Sequence, residues 1–184
     1  SGSVVPCDPA AAGGLPSPGD SWDDGVTVLG GSGDDWLDVD FSGGNPLPFP
    51  GLHYDGGDGF DVISFQGGSF RRVEYKAVNA HSGTISFDGI PVNYEHIEPI
   101  YHNSPASELT IEGTDSDDEV TFDYVDYLVD GAYTIEEAIR VASASFETVY
   151  FSNVQNVIFD ALDGNDIINI GLSRGAAGLE SLRI

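Results

Sequence analysis

Apolar and polar residues alternate along much of this chain, in short runs on either side of Gly- and Asp-rich turns. Before the turns, the apolar pairs are Val26 and Val28, Leu52 and Tyr54, Leu109 and Ile111, and Val157 and Phe159. After the turns, they are Leu37 and Val39, Ile63 and Phe65, Val120 and Phe122, and Ile168 and Ile170. Alternation with a period of two is typical of a strand with one buried face. The sequence therefore predicts a unit of strand, turn and strand that is used four times.

The turns themselves carry a recognisable chemistry. GGSGDDWLD at 30–38 and GGDGFDVIS at 56–64 match the nonapeptide G-G-x-G-x-D-x-U-x, and looser copies stand at 113–121 and 161–169. Glycine allows left-handed backbone angles that turn carbonyl oxygens inward, and aspartate adds a charged oxygen. Because calcium prefers six to eight oxygen ligands, the pattern indicates calcium-binding turns.

The motifs resemble the hemolysin-type (RTX) calcium-binding repeats of large secreted or cell-surface bacterial proteins. The resemblance implies that the sixth-position aspartates ligate calcium, namely Asp35, Asp61, Asp118 and Asp166. It further implies carbonyl ligands from Gly30, Gly31 and Gly33 and from Gly56, Gly57 and Gly59. Neighbouring acids are candidates for additional ligands: Asp34, Asp58, Asp115, Asp117 and Asp163.

The chain departs from the family pattern in two ways. Family motifs follow one another directly, whereas these begin at residues 30, 56, 113 and 161, which are 26, 57 and 48 residues apart. A site between two turns needs coils of roughly 25 residues, which suits the first spacing and, doubled, approximates the others. The third motif has Thr114 and Ser116 in place of glycines, and the fourth begins with Ala161 and Leu162. An Asx-type turn without metal is therefore an alternative for these two.

Stacked units of this kind predict an all-β protein. We expect a right-handed parallel β-solenoid of the β-helix or β-roll type, with an antiparallel β-sandwich as the alternative because strand-turn-strand units also close as hairpins. The Pro- and Gly-rich residues 1–21 are interpreted as a flexible linker or tag remnant that contains the single Cys7. Residues 22–184 are interpreted as one elongated domain with units at about 22–55, 56–112 and 113–160 and a truncated unit at 161–184.

Three further segments carry structural signals. The apolar frame V-x-[YF]-x-x-[IV]-x-x-[IV] occurs at 92–100 and again at 149–157, which suggests a tandem repeat. Residues 83–94 predict a β-hairpin with Asp88 and Gly89 in a type I′ turn. At 134–147, Thr134 and Glu137 form a capping box that favours a helical turn over 135–140 before a strand, although the repeat aligns 141–145 with a hairpin strand.

Charge narrows the possible functions. The chain has 31 acidic and 6 basic residues and a formal charge of −25. Such a charge opposes compaction unless cations screen it, and it argues against nucleic-acid binding. Acidity also aids solubility, but solubility does not require the carboxylates to cluster in Gly/Asp turns. No run of eighteen apolar residues is present, so the sequence predicts no membrane span.

Catalytic signals are weak. The four histidines are scattered, and three of the basic residues lie together at Arg71, Arg72 and Lys76, where an acidic sugar could dock as in a calcium-dependent polysaccharide lyase. We expect no enzyme.

The predicted function is that of an extracellular, calcium-stiffened structural or adhesive repeat module. Turns with few carboxylates bind calcium with micromolar to millimolar affinity, and the concentration that fills them occurs outside cells. The expected partners are calcium and either a surface glycan or neighbouring repeats. The alternatives are a glycan- or protein-binding module on a β-solenoid face and, third, a lyase-like β-helix.

Overall fold

A computed structural model describes residues 25–130 and 133–184. These residues form fifteen strands and no helix, which confirms the all-β prediction. No helix that could cross a membrane occurs in this part of the chain. The predicted linker at 1–21, with Cys7, lies outside the described residues, as do residues 22–24 of the predicted domain.

The strands follow one another closely along the chain. They are β1 (Val26–Ser32), β2 (Trp36–Asp40), β3 (Leu52–Asp58), β4 (Val62–Gln66), β5 (Phe70–Asn79), β6 (Ser82–Phe87), β7 (Ile90–Glu95), β8 (Ile100–Asn103), β9 (Ala106–Glu112), β10 (Glu119–Asp130), β11 (Tyr133–Ser143), β12 (Val149–Phe151), β13 (Val154–Asp160), β14 (Ile167–Gly171) and β15 (Ser181–Arg183). They form two sheets. The first has the order β1-β3-β7-β6-β5-β9-β13-β15, and the second has the order β14-β10-β11-β12-β8-β4-β2.

Both sheets are mixed, and most neighbouring strands are parallel. The antiparallel pairs are β5–β6, β6–β7, β10–β11 and β11–β12. Because β1, β3 and β7 and also β2, β4 and β8 pair in parallel, the sheets are not those of a purely antiparallel sandwich.

The alternating residues that the sequence singled out lie opposite one another in these ladders. Val28 pairs with Tyr54 in the first sheet, and Leu37 pairs with Ile63 in the second. The later units behave in the same way, since Leu109 is opposite Val157. Equivalent positions of consecutive motif units are therefore stacked in register.

The main apolar core is built from buried residues of both sheets. Four phenylalanines form its aromatic centre, and Phe87 lies 4.7 Å from Phe65, 4.9 Å from Phe70 and 5.0 Å from Phe41 between ring centroids. All four side chains are buried, and each contributes about 1.5–3 kcal/mol relative to an exposed position. This burial is what holds the two sheets together.

The predicted hairpin at 83–94 is confirmed. Phe87 pairs with Ile90 across a two-residue loop in which Asp88 has φ 49° and Gly89 has φ 94°. Positive φ at both loop residues is the geometry of a type I′ turn, whose twist matches that of the flanking strands.

The helical turn predicted at 135–140 is wrong. These residues belong to β11, which pairs along its length with β10 and at Ile139–Val141 with β12. Ala138, Ile139 and Val141 are fully buried. The capping signal is local, whereas two neighbouring strands satisfy the backbone of this segment and burial of its apolar residues outweighs the local preference.

The apolar frame shared by 92–100 and 149–157 does not mark structurally equivalent strands. Val92 lies in β7 and pairs with Leu52 in the first sheet, whereas Val149 lies in β12 and pairs with Ile100 in the second. The reason is topological. One antiparallel triplet, β5–β6–β7, lies in the first sheet, and the other, β10–β11–β12, lies in the second.

His102 is a polar residue within this core. It is fully buried, its Nδ1 lies 2.9 Å from the Tyr75 hydroxyl, and its ring stacks on Phe87 at 6.0 Å. Burial lowers the pKa of His102 to about 4. The folded protein therefore holds this imidazole neutral where the unfolded chain would protonate it.

This burial predicts a pH-dependent stability. Unfolded histidine has a pKa near 6.5, so His102 contributes fully above that pH, and its contribution is lost as the pH falls toward 4. Acidification from pH 6.5 to pH 4.5 in EDTA should lower the free energy of unfolding of the wild type. In His102→Gln, we expect this decrease to be smaller by about 2 kcal/mol. Urea unfolding at both pH values measures this difference. His53→Gln is the control and should keep the wild-type slope; equal slopes in all three proteins would contradict the prediction.

Candidate metal-binding turns

Two Gly/Asp turns stack in register at one end of the strands, where the chain passes from the first sheet to the second. The first joins β1 to β2, and the second joins β3 to β4. The Asp35 amide donates to Asp61 Oδ1 over 2.7 Å, and the Phe60 amide donates to Asp34 Oδ1 over 3.0 Å. Each turn therefore places a carboxylate against the backbone of the other. We call residues 30–35 and 56–61 the first turn pair.

The third and fourth motifs form a second turn pair at residues 113–118 and 161–166. The Asp118 amide donates to Asp166 Oδ1 over 2.9 Å, and the Asn165 amide donates to Asp117 Oδ1 over 2.8 Å. These bonds link residues 48 apart and repeat those of the first pair at equivalent positions. The third and fourth motifs, which match the nonapeptide pattern only in part, therefore stack with the same geometry as the two that match it fully.

Glycine is required where the stacked turns touch. Gly57 has φ +97° and Gly59 has φ +151°, angles that other residues rarely adopt. A Cβ atom at Gly57 would overlap the carbonyl oxygen of Gly31, and one at Gly59 would overlap that of Gly33. A Cβ at Gly30 would overlap the carbonyl oxygen of Gly56 in the same manner. The glycines thus permit the backbone-to-backbone contact that defines the pair.

The first turn pair holds buried oxygen atoms that have no donor. Asp61 is fully buried, and its Oδ2 has no hydrogen-bond partner among the described residues. Asp35 Oδ2 and the Tyr54 hydroxyl are also buried, and the described part of the chain offers neither of them a hydrogen-bond partner. Burying a polar or charged oxygen in this way is costly because its water is lost and nothing replaces it.

The electrostatics of the first pair reflect the same burial. Burial raises the pKa of Asp61, and the nearby Asp35 and Asp34 carboxylates raise it further against the opposing effect of the Asp35 amide. Burial also raises the pKa of Tyr54, with Asp61 and Asp35 as the next causes. The site therefore collects negative charge in a place that disfavours it, and a cation would offset the cost.

The donor set of the first pair suits a hard cation. The turn pair offers two carboxylates from different turns together with the backbone carbonyls of its glycine-rich segments, and all of these groups are oxygen donors. Oxygen-only coordination is what calcium and magnesium prefer. Tyr54 is the neighbour that sequence reasoning did not identify, because in the alternating pattern it reads as an ordinary core residue.

The second turn pair is less prepared for a cation. The Thr114 amide donates to Asp118 Oδ2 over 2.8 Å, and the Thr114 hydroxyl lies 3.0 Å from Asp118 Oδ1. Both oxygens of the buried Asp118 are therefore occupied by protein donors. Threonine in place of the motif glycine supplies the hydroxyl donor, whereas the amide donor is a backbone group that either residue has. Three predicted additional ligands, Asp58, Asp115 and Asp163, are exposed.

Two further groups of possible ligands escaped sequence analysis. Asp55, Glu95 and His96 form one, and His81, Glu98 and Glu147 form the other. Both include residues of the turn between β7 and β8, which stacks on the first pair through a Glu98 amide to Asp61 carbonyl hydrogen bond of 2.5 Å. The Glu-His-x-Glu sequence at this turn was the available signal, but its partners are distant in the chain.

The charge state of these groups depends on their surroundings. A hydrogen bond from His96 Nδ1 to Asp55 Oδ1, 2.8 Å long, raises the pKa of His96. Burial, followed by the neighbouring Glu98 carboxylate, raises the pKa of Glu147 to about 8. Glu147 is 7% exposed, whereas the members of the first group are all half-buried or exposed.

Comparisons with protein-family models, with curated proteins and with solved structures found no match for this chain. Its function is therefore inferred from its own residues and their arrangement.

The close contact between stacked turns leads to a test with a matched control. Gly57 and Gly31 have nearly the same φ, +97° and +99°, but only Gly57 lies under a neighbouring carbonyl oxygen. We expect Gly57→Ala to lower the free energy of unfolding by about 1–3 kcal/mol more than Gly31→Ala, because strained φ is common to both and overlap is not. Urea unfolding in EGTA measures the difference. Equal destabilisation by the two variants would show that the turns do not stack as described.

Proposed function

We propose that this chain is a calcium-binding structural or adhesive module of a large secreted or cell-surface bacterial protein. In this proposal it is a right-handed parallel β-solenoid that calcium folds and stiffens. The observation that carries the proposal is the pair of buried, unpartnered oxygens Asp35 Oδ2 and Asp61 Oδ2 on two consecutive turns. Carboxylate oxygens in such a position need either a proton or a cation.

The solenoid interpretation is supported by how the chain moves between sheets. β1 leads to β2 in the other sheet, β3 pairs in parallel with β1, and β4 pairs in parallel with β2. Each strand-turn-strand unit thus lies on the one before it, as a coil does. The antiparallel triplets interrupt this progression, so the coils are regular at the two ends of the stack and irregular at its centre.

The first turn pair explains how a cation would stiffen the array. Asp35 belongs to the first coil and Asp61 to the second, so a bound cation shared by both would link consecutive coils. It would also offset the repulsion between the buried Asp61 and the half-buried Asp35 and the larger self-repulsion of a chain with a charge of −25. Such a site stabilises the folded state by about 2.7 kcal/mol at a hundred times its dissociation constant.

The proposed extracellular location rests on this chemistry. A site with two carboxylates and otherwise neutral ligands has modest calcium affinity, and calcium is abundant enough to fill it outside the cell. Rigidity in calcium and looseness without it would suit a spacer or adhesive segment. No catalytic activity is proposed, since Arg72 pairs with Glu108 over 3.0 Å and Lys76 pairs with Glu112 over 2.9 Å.

A glycan- or protein-binding face is the second candidate function, and a row of aromatic rings favours it. Trp36 stacks on Tyr101 with ring centroids 5.9 Å apart, and Tyr101 lies 5.2 Å from Tyr150. Trp36 is 37% exposed. Tyr150 is half-buried and Tyr101 between the two is buried, so Trp36 and Tyr150 provide the accessible aromatic surface, and such surface is a common contact for sugars and proteins.

The calcium proposal predicts ion-specific stabilisation. We expect millimolar calcium to raise the thermal midpoint by roughly 5–10 °C over EGTA for one filled site, with little effect of magnesium. Asp61→Asn should lose most of this rise, whereas Asp38→Asn, an equal change of charge at an exposed position of β2, should retain it. Differential scanning calorimetry of the three proteins decides the matter. Equal effects of calcium and magnesium, or equal responses of both variants, would refute a calcium site at these turns.

The difference between the turn pairs leads to a second prediction. Asp118 already receives hydrogen bonds from Thr114, whereas Asp61 has an unpartnered oxygen. We therefore expect Asp118→Asn to lower stability in EGTA, where its hydrogen bonds matter, while leaving the calcium-induced rise largely intact. Asp61→Asn should instead not lower stability in EGTA, and it should lose most of the calcium-induced rise. Isothermal titration with calcium provides the independent readout, and a greater loss of affinity in Asp118→Asn would contradict this ranking.

A further inference from the structure

A cluster of one histidine and two glutamates lies at the same end of the strands as the first turn pair and beyond it in the stack. His81 lies between β5 and β6, Glu98 precedes β8, and Glu147 precedes β12. β8 and β12 are parallel neighbours, so the segments that precede them emerge side by side. The cluster therefore combines three separate chain segments at one point.

Backbone hydrogen bonds fix these segments relative to one another. The His96 amide donates to the His81 carbonyl over 2.8 Å, and the Ile100 amide donates to the Thr148 carbonyl over 2.9 Å. Glu98 lies between His96 and Ile100 in the chain, and Glu147 adjoins Thr148. All three side chains thus project from anchored backbone, which is the preorganisation that a metal site needs.

The distances within the cluster match those around a small tetrahedral ion. His81 Nδ1 lies 3.1 Å from Glu98 Oε1 and 3.4 Å from Glu147 Oε1. Two ligands at about 2.0–2.1 Å from a metal in tetrahedral geometry are about 3.3 Å apart. All three ligand atoms lie within 4.8 Å of one another, so one ion can contact each of them with little movement.

Glu147 supplies an independent reason to expect a cation. Its side chain is 8% exposed, and within the described residues its only ion-pair partner is His81, whose side chain is 56% exposed. Glu98 adds a second carboxylate rather than a counter-charge. A buried carboxylate beside another carboxylate, with one solvent-exposed imidazole for both, is under-compensated. A divalent ion would correct the imbalance.

We propose that His81, Glu98 and Glu147 form a transition-metal site, separate from the calcium turns, that binds an ion of the Zn²⁺ class. Imidazole nitrogen with two carboxylates suits a borderline ion, whereas calcium selects oxygen alone. Three protein ligands leave a fourth position for water. The other group, Asp55, Glu95 and His96, has no fully buried member and is the weaker competitor.

Binding here would join the β5–β6 connection and the segment before β12 to the β7–β8 turn, which already contacts the first turn pair through the Glu98 amide. The three ligands belong to the β5–β6 connection, the β7–β8 turn and the segment before β12. The site would therefore link chain segments at the centre of the stack, where the antiparallel strand triplets interrupt the series of Gly/Asp turns.

The test is titration of the full chain with Zn²⁺ in the presence of saturating calcium, which keeps the calcium turns filled. All proteins carry Cys7→Ser, because a thiol would also bind zinc. We expect one equivalent to bind in this background, and both His81→Gln and Glu147→Gln to weaken binding at least tenfold. His53→Gln should not change the affinity. Tetrahedral Co²⁺ absorption in the same proteins gives a second readout.

Glu147→Gln keeps the shape of the buried side chain and removes its charge, so the variant should fold with its calcium-induced stabilisation intact. That outcome separates this proposal from the function proposed above, since either can fail without the other. Zinc binding that is unchanged in both variants would overturn the proposal. So would the absence of zinc binding, or its loss in His96→Gln with retention in His81→Gln, which would assign the ion to the other group.

Discussion

Direct contact between the backbones of stacked turns is the constraint on which the rest of this structure depends. The carbonyl oxygens of Gly31 and Gly33 occupy the space where side chains at Gly57 and Gly59 would begin. Only glycine permits that approach, and the approach fixes which residue faces which. Once the turns are aligned, the strands on either side are aligned as well, and the apolar residues of both sheets face a common core.

The same stacking that aligns apolar residues also brings like charges together. Asp35 and Asp61 approach because their turns are equivalent, and Glu98 and Glu147 approach because β8 and β12 are neighbours. Burial then makes the ionised forms of Asp61 and Glu147 more costly than they would be in water. The end of the strands where backbone contact is closest is thus also the end where electrostatic repulsion opposes folding. Both proposed ions would bind there.

Much of the fold could be predicted from the sequence because its strongest signals are local and periodic. The alternation around Leu37 and Ile63 identified strands that pair in register, and Asp88-Gly89 identified a hairpin. The error at 135–140 came from a capping signal that two neighbouring strands override. The donors around Glu147 could not be predicted, since they come together only through the order of strands in the sheets. The effect of Thr114 on Asp118 likewise needed the geometry of the turn.

The reversed order of the antiparallel triplets bears on how the molecule would come apart. In a simple solenoid, each repeat touches only its neighbours, so repeats can separate one at a time from an end. Here β5 lies beyond β6 and β7 and pairs with β9, while β12 reaches back to pair with β8. These two parallel pairings are the ones that join strands β1–β8 to strands β9–β15 among the described residues, since every other pairing stays within one of the two groups. The molecule would therefore divide most simply into an early half and a late half, by loss of the β5–β9 and β8–β12 ladders, rather than repeat by repeat from an end.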